Sequence, residues 1–292
     1  MQALIAEAAS ACQGQSLTPL CRLLSLPRAA YSRGGTSVGA RAQALAIRDH
    51  IQDIALEMPA YGYRRITHEL HRQGLMVTHK RGLRLMREDT LLCLRKKRLI
   101  RTTDAHHNFP ASPHLVPEMA VTEVDHLWVA DIPYIHWPQE CIYLAVILAA
   151  YSRRCMGWAL DGSLEADLAV AALRMALATR PVRPGLGHHS DRGVQSTSSA
   201  YTTLLKEHEI RISMSRSGNP YDHAQAESFI KTLKYEEVYL FEDQDGGEAR
   251  ARIGYFLEEV YNHTRLHAAL GDRPPVEFEQ LRDGISYNQK LN

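Results

Sequence analysis

Three acids in this chain sit where a carboxylate has chemistry to do. Asp131 interrupts the apolar run LWVADIPYI at 127–135, which reads as a buried strand carrying one carboxylate. Such a group is costly to bury alone, so a cation or hydrogen-bond donor is its expected company. Asp191 closes a short apolar lead-in and is followed by Arg192-Gly193, a strand end entering a glycine turn. That is where α/β sheets hold ligands. Glu227 belongs to Ala224–Lys234, in which Ala226, Phe229, Ile230 and Leu233 repeat at helical spacing. Lys231 and Lys234 follow at i+4 and i+7, so the acid and both lysines share one helix face. The plainer readings are a surface Asp on an edge strand and a solvated helix face with one ordinary ion pair. With 33 Asp and Glu among 292 residues, the spacing alone is a loose signal, and the setting of each acid carries the weight.

Convergent carboxylates with lysines nearby, and no cysteine or histidine ligand set, fit oxygen-ligated Mg²⁺ or Mn²⁺. Two such ions about 3.5–4 Å apart activate the attacking oxygen and stabilise the leaving one in phosphoryl transfer. A polar loop beside the site, with Arg216 and Asn219, is open between a DNA contact and a simple turn. Three further acids compete for the metal role: Asp125 and Asp161 read as surface or capping groups, and Asp222 as the cap of the helix that carries Glu227. Asn262, His263, Arg265 and His267 are polar at helical spacing, and either face substrate or end a helix before Pro274-Pro275.

The elements that must position these groups divide the chain. Residues 1–36 read as short helices, either a small DNA-binding or docking element or a plain helical hairpin. Residues 37–101 hold three helices. The first, at about 40–58, turns Ile47, Ile51, Ile54, Ala55 and Met58 inward; the second contains Ile66 and Leu70; the third places Leu83 and Met86 inward. Lys80, Arg81, Arg84 and Arg87 point outward from the third helix, Arg64 and Arg65 lie on the second, and the basic run continues from Arg95 to Arg101. Three short helices with a basic last member suit a helix-turn-helix that grips a phosphate backbone. Residues 102–121 contain three prolines and read as a linker. His106 and His107 within it lack a cysteine pair at zinc-finger spacing. From 122 the pattern changes to strands at 127–135, 141–149, 155–160, before Asp191 and at 211–215. Helices are expected at 165–179, 199–208, 222–239 and 247–265. The core is expected to run to 281, with a tail at 282–292. This order describes a mixed α/β sheet with flanking helices.

Charge follows the same division. Residues 1–120 hold 17 Lys and Arg against 9 Asp and Glu, and residues 121–292 hold 17 against 24, within a net charge of +1. A basic half suits polyanion binding and an acidic half suits metal. The five cysteines are odd in number and form no CxxC pair, which fits a reducing cytoplasm. The opening residues lack a basic n-region, and the longest apolar run, Cys141–Tyr151, is too short to span a bilayer, so a cytoplasmic protein off the membrane is expected. No GxxxxGK[ST] loop argues for ATP hydrolysis, and no nucleophile motif for covalent catalysis.

Four strings in order, WVADIPYI, HHSDRGVQ, SRSGNPYDHAQAESFIKTLK and YNHTRLHAALGDRPPVEF, resemble the catalytic part of bacterial insertion-sequence transposases. More narrowly, they resemble the second-reading-frame (OrfB) protein of the insertion-sequence-three family, relatives of retroviral integrases. The resemblance covers most of the chain. It implies an RNase H-like fold, with a mixed five-stranded sheet and flanking helices, preceded by a small all-helical helix-turn-helix region. It also implies a DDE site falling on Asp131, Asp191 and Glu227, two Mg²⁺ or Mn²⁺ ions, and DNA contacts by Lys231 and Lys234. The expected activity is DNA cleavage and strand transfer at insertion-sequence ends. The expected partners are end DNA and target DNA, further copies of the chain, and a first-reading-frame (OrfA) partner or fusion. A circular DNA intermediate is implied as well. His223 stands where the family commonly has Asn, which bears on the local DNA contact. Two rivals remain at this level: an RNase H-like nuclease that only hydrolyses, and an idle end-binding repressor.

Overall fold

The computed structural model describes residues 38–93, 121–136, 141–191, 198–214, 224–240 and 246–289. The 1–36 segment, the Arg95–Arg101 run, Arg216, Asn219, Asp222 and His223 lie outside them. The chain divides into two compact units, Met1–Cys93 and Leu94–Asn292. Among the described residues, no helix is long and apolar enough to cross a membrane.

The first unit packs helices α1 (Val38–Glu57), α2 (Tyr63–Arg72) and α3 (His79–Glu88). Ile47, Ile51 and Ile54 of α1 meet Ile66 and Leu70 of α2 in a buried core with Leu85 and Met86 of α3. Leu85 takes the inward position expected for Leu83, which is only half-buried. Thr78 caps α3, its hydroxyl accepting from the Arg81 N–H at 3.3 Å. A Cβ at Gly82 would lie 3.0 Å from the Thr67 hydroxyl, so a larger residue there would have to push that side chain aside. Arg48 of α1 ties Glu88 and Asp89 at the other end of α3.

The second unit is built on β1 (Leu127–Asp131), β2 (Tyr134–His136), β3 (Cys141–Ala149), β4 (Cys155–Asp161), β5 (Gly187–Ser190) and β6 (Arg211–Met214). The order is β2-β3-β1-β5-β6, with β4 also on β3. Strands β2, β1 and β4 run antiparallel to β3, whereas β1, β5 and β6 are mutually parallel. The sheet has six strands rather than five because the expected first strand breaks at Ile132-Pro133 into β1 and β2. Proline has no N–H for the ladder, so the chain bends there.

Helices α4 (Ala166–Thr179) and α5 (Ser199–Glu207) cover one face of the sheet, with Leu173, Ala176, Tyr201 and Leu205 packed on Trp128, Ile147 and Met156. The contact is close: a Cβ on Gly157 of β4 would stand 2.2 Å from the Ala172 carbonyl oxygen. The other face carries α6 (Ala224–Glu236), α7 (Gly246–Tyr255) and a π-helix at Phe256–Thr264. Phe229, Leu233, Phe256 and Leu257 pack there on Leu144, Val146 and Leu148. The last helix, α8 (Pro275–Gln289), continues past 281, so the segment expected as a tail is helical to Gln289.

A polar network holds α8 to the end of the sheet where β1 begins. Asp125, whose side chain is 1% exposed, accepts from Trp128 Nε1 and from Arg180 at 3.0 and 3.1 Å. Glu279 of α8, 4% exposed, accepts from Arg180, from Arg154 at 2.9 Å and from the Ser152 hydroxyl at 2.6 Å. Burial opposes the Arg180 charge, but Glu279 and Asp125 outweigh it and hold the guanidinium above its ordinary range. Asp125 is therefore a buried ion-pair partner and not the surface group its sequence position suggests. Asp161 does behave as expected, exposed and accepting from the Ser163 N–H at 3.0 Å.

Candidate active site

The register of the sheet puts two of the three acids side by side. Strands β1 and β5 run parallel with Val129 opposite His189. Asp131 and Asp191 each lie two residues further on, Asp131 as the last residue of β1 and Asp191 just past the end of β5, so both stand where these neighbouring strands end, backbones about 4.8 Å apart where they pair. Side chains two apart on a strand share a face. Asp131 pairs with Val146, and Val146 packs against the layer containing Phe229 and Leu233 of α6. Val129 clusters with Ala226, the residue before Glu227. Asp131 thus lies on the face covered by the helix that carries the third acid, the face that His189, two residues before Asp191, shares with Val129.

The break after β1 helps to aim the first carboxylate. The Ile132 N–H leaves the ladder there and donates to Asp131 Oδ1 at 2.9 Å. Asp131 is half-buried, while Asp191 and Glu227 are exposed. Among the described residues, no three His, Cys, Asp or Glu side chains stand close enough to make a ready-formed cation cage. The shared end and shared face are what the structure brings together. An all-oxygen donor set of this kind suits a hard divalent cation over zinc.

The two lysines of α6 differ. Lys231 is exposed. Lys234 is half-buried, with its ammonium 5.2 Å from the centre of the Tyr134 ring. Burial pushes its pKa below the ordinary lysine range, and the Asp131 carboxylate pulls the other way. Tyr134 was not singled out from the sequence, although it lies in the same string as Asp131. Its signal was an aromatic residue just beyond the strand break, which by itself suggests only packing.

The histidines before Asp191 are structural. His188 and His189 are fully buried on opposite faces of β5, His188 against the Tyr201 hydroxyl at 2.8 Å and His189 against Ser213 Oγ at 3.0 Å. Burial and the neighbouring His189 hold His188 at a pKa of about 3, so its ring is neutral. In the 261–270 string, Asn262, Arg265 and His267 are buried, which favours the packing role over the substrate-facing one; His263 is exposed.

In the first unit, Lys80, Arg84 and Arg87 are exposed on α3 at i, i+4 and i+7, opposite the buried Gly82, Leu85 and Met86. Arg84 is 67% exposed and lies 3.7 Å from Glu88, a pairing too open to neutralise the stripe. Arg81 and Arg65 are half-buried, the latter 5.4 Å over the Tyr61 ring, and Arg64 is exposed.

Known domain families and proteins match most of the chain. Residues 121–220 match the integrase core domain, residues 208–275 match a second integrase core domain model, and residues 41–98 match an HTH-like domain. An uncharacterized 31 kDa protein of insertion element IS600 from Shigella sonnei is 37% identical over 75% of this chain and 81% of its own length. The transposase of insertion sequence element IS904 from Lactococcus lactis is 33% identical over 75% of this chain and 87% of its own. Transposase InsF of IS3A from Escherichia coli is 30% identical over 90% and 94%. Among solved structures, the simian T-cell lymphotropic virus intasome is a looser likeness, with TM-score 0.45 and 15% identity over 78% of this chain and 73% of that one. The catalytic core of BIV integrase gives TM-score 0.42 and 20% identity over 56% and 99%.

Proposed function

Because the chain belongs to the IS3 family of transposases, we propose that Asp131, Asp191 and Glu227 are the carboxylates at which it cuts and joins DNA. The observation that carries this reading is the pairing of Val129 with His189 on adjacent parallel strands, two residues before Asp131 and Asp191, with Ala226 beside Glu227 packed on Val129. The three would hold Mg²⁺ or Mn²⁺, two ions per site. Bound ions of this kind supply an activated oxygen nucleophile and stabilise the leaving oxygen.

The chain's own groups do the positioning. Asp131 is oriented by the Ile132 N–H, and Lys234 stands by it over Tyr134. Lys231, exposed on the same helix face as Glu227, would hold a backbone phosphate of the end DNA. Arg216 and Asn219 are proposed as further contacts there. Lys80, Arg81, Arg84, Arg87, Arg64 and Arg65 of the HTH-like unit would grip the end duplex, Arg81 and Arg65 from more sheltered positions. In cleavage, water oxygen attacks phosphorus, the P–O3′ bond breaks, and the 3′ oxygen leaves with a proton. In joining, that 3′-OH attacks a second phosphodiester, so one P–O bond forms as one breaks. No ATP is required. Assembly of several copies on paired ends, and cooperation with a first-reading-frame partner, belong to the same proposal.

Strand joining tests it. Purified chain is incubated with labelled end duplex in Mg²⁺ or Mn²⁺, beside Asp191→Asn. Joined product from the parent and none from the variant is expected. Cleavage without joining in the parent would favour a hydrolytic nuclease, and end binding with neither reaction would favour a repressor.

A further inference from the structure

The string from Tyr261 to Leu270 lies away from the reacting acids in sequence, yet it grips the helix that carries one of them. Asn262 anchors it to the sheet: its Oδ1 accepts from the Cys155 N–H at 2.9 Å, and its Nδ2 donates to the Cys155 carbonyl at 2.9 Å. A side-chain amide there pairs with β4 as another strand's backbone would. Tyr261 meets Phe229 of α6 edge-on, ring centres 4.9 Å apart, two residues after Glu227. His267 also meets Tyr261 edge-on, ring centres 4.8 Å apart. Arg265, 4% exposed, then forks onto Glu236 in the last turn of α6, with Nε and Nη2 at 2.6 Å from its two carboxylate oxygens. The Phe256–Thr264 segment, which carries Tyr261 and Asn262, is π-helical and ends with the Arg265 N–H on the Val260 carbonyl at 2.7 Å. π-helical turns are rare and concentrate at functional sites.

We propose that Arg265, acting through Glu236, is a positioning residue that fixes the rotation and axial slide of α6, and so the placement of Glu227. The inference rests on the reading of Glu227 as a metal-binding carboxylate. Apolar packing by Ala226, Phe229 and Leu233 already holds α6 on the sheet, but such contacts are non-directional and tolerate small slides. A bidentate guanidinium–carboxylate fork does not. A buried ion pair adds little net stability over an apolar replacement, so its contribution here is geometry.

The test is Mn²⁺ binding by the full chain on end duplex, read by electron paramagnetic resonance of the free ion. Glu227→Gln, Arg265→Gln and the double variant are compared with the parent. Arg265→Gln is expected to weaken Mn²⁺ binding about tenfold in the parent, as removal of an outer-shell partner does. It is expected to add nothing in the Glu227→Gln background. Parent-like binding by Arg265→Gln, or an equal loss in both backgrounds, overturns the inference while leaving the carboxylate reading intact. Parent-like binding by Glu227→Gln overturns both. The paired replacement Arg265→Met with Glu236→Leu guards against misfolding. It is expected to melt with the parent yet bind Mn²⁺ as weakly as Arg265→Gln, and parent-like binding by that pair also counts against the inference.

Discussion

The two ends of the sheet treat carboxylates in opposite ways. Where β1 begins, Asp125 and Glu279 are sealed from water, and Arg180 and Arg154 close on them. Where β1 ends, Asp131 is half-buried and Asp191 and Glu227 are exposed. A buried charge must be paired and hydrogen-bonded or the fold suffers, so the first set is committed to holding α8 against the β3–β4 turn. An exposed carboxylate remains hydrated until something displaces the water. On the proposed reading, the difference separates acids that serve the fold from acids that hold the metal.

The contrast breaks first at the end proposed to react. Asp131→Asn or Asp191→Asn is expected to abolish strand joining to below detection, with a melting temperature equal to or above the parent's because neighbouring negative charges are relieved. A large drop in melting temperature would make these acids structural and erase the distinction. Glu279→Ala is the mirror experiment. It leaves Arg180 and Arg154 facing a lost partner, and should destabilise the fold by about 3–5 kcal/mol in chemical denaturation. Joining per folded molecule should stay at the parent's level.

The acids where β1 ends were legible in the sequence, and those where it begins were not. Asp131 stood out because four apolar residues precede it, and Glu227 because its helix repeats cleanly. The parallel β1–β5 register adds that the strands leading to Asp131 and Asp191 run side by side. Asp125 carried no such signal, because its partners Arg180 and Glu279 are distant in sequence and meet only in the folded chain. The same holds for Arg265 and Asn262, whose partners lie on α6 and β4. Helical spacing marked them as polar on one face and left open whether that face met substrate or protein. The break at Pro133 was printed in the sequence, but its effect on the ladder depends on β3 lying alongside.

Strand β5 repeats the contrast within a few residues, since His188 is buried in the layer under α5 and Asp191 is exposed at the strand end. The folded-state pKa of His188 is depressed to about 3 from 6.5. Above 6.5 neither state holds the proton. Below it the unfolded chain is protonated and the folded ring is not, so stability falls as pH drops from 6.5 toward about 3. The loss should reach about 2 kcal/mol by pH 5. His188→Gln is expected to flatten that slope in denaturation curves at pH 7 and pH 5. An unchanged slope would mean that the buried ring is not the group responsible.

The finest division at the end proposed to react is between the two lysines of α6. Lys231 is exposed and free to follow a phosphate backbone; Lys234 is sheltered, held over Tyr134 and close to Asp131. Loss of a phosphate contact weakens binding evenly across sequences and reduces the salt dependence by about one counterion. Lys231→Gln should therefore lower the slope of log affinity against log salt by about 0.9, with little effect on joining at saturating DNA. Lys234→Gln should leave the slope nearly unchanged and slow joining at saturation, because its charge is directed at Asp131. Equal salt slopes for the two variants would place both lysines on the DNA backbone, and the Tyr134 contact would then be packing alone.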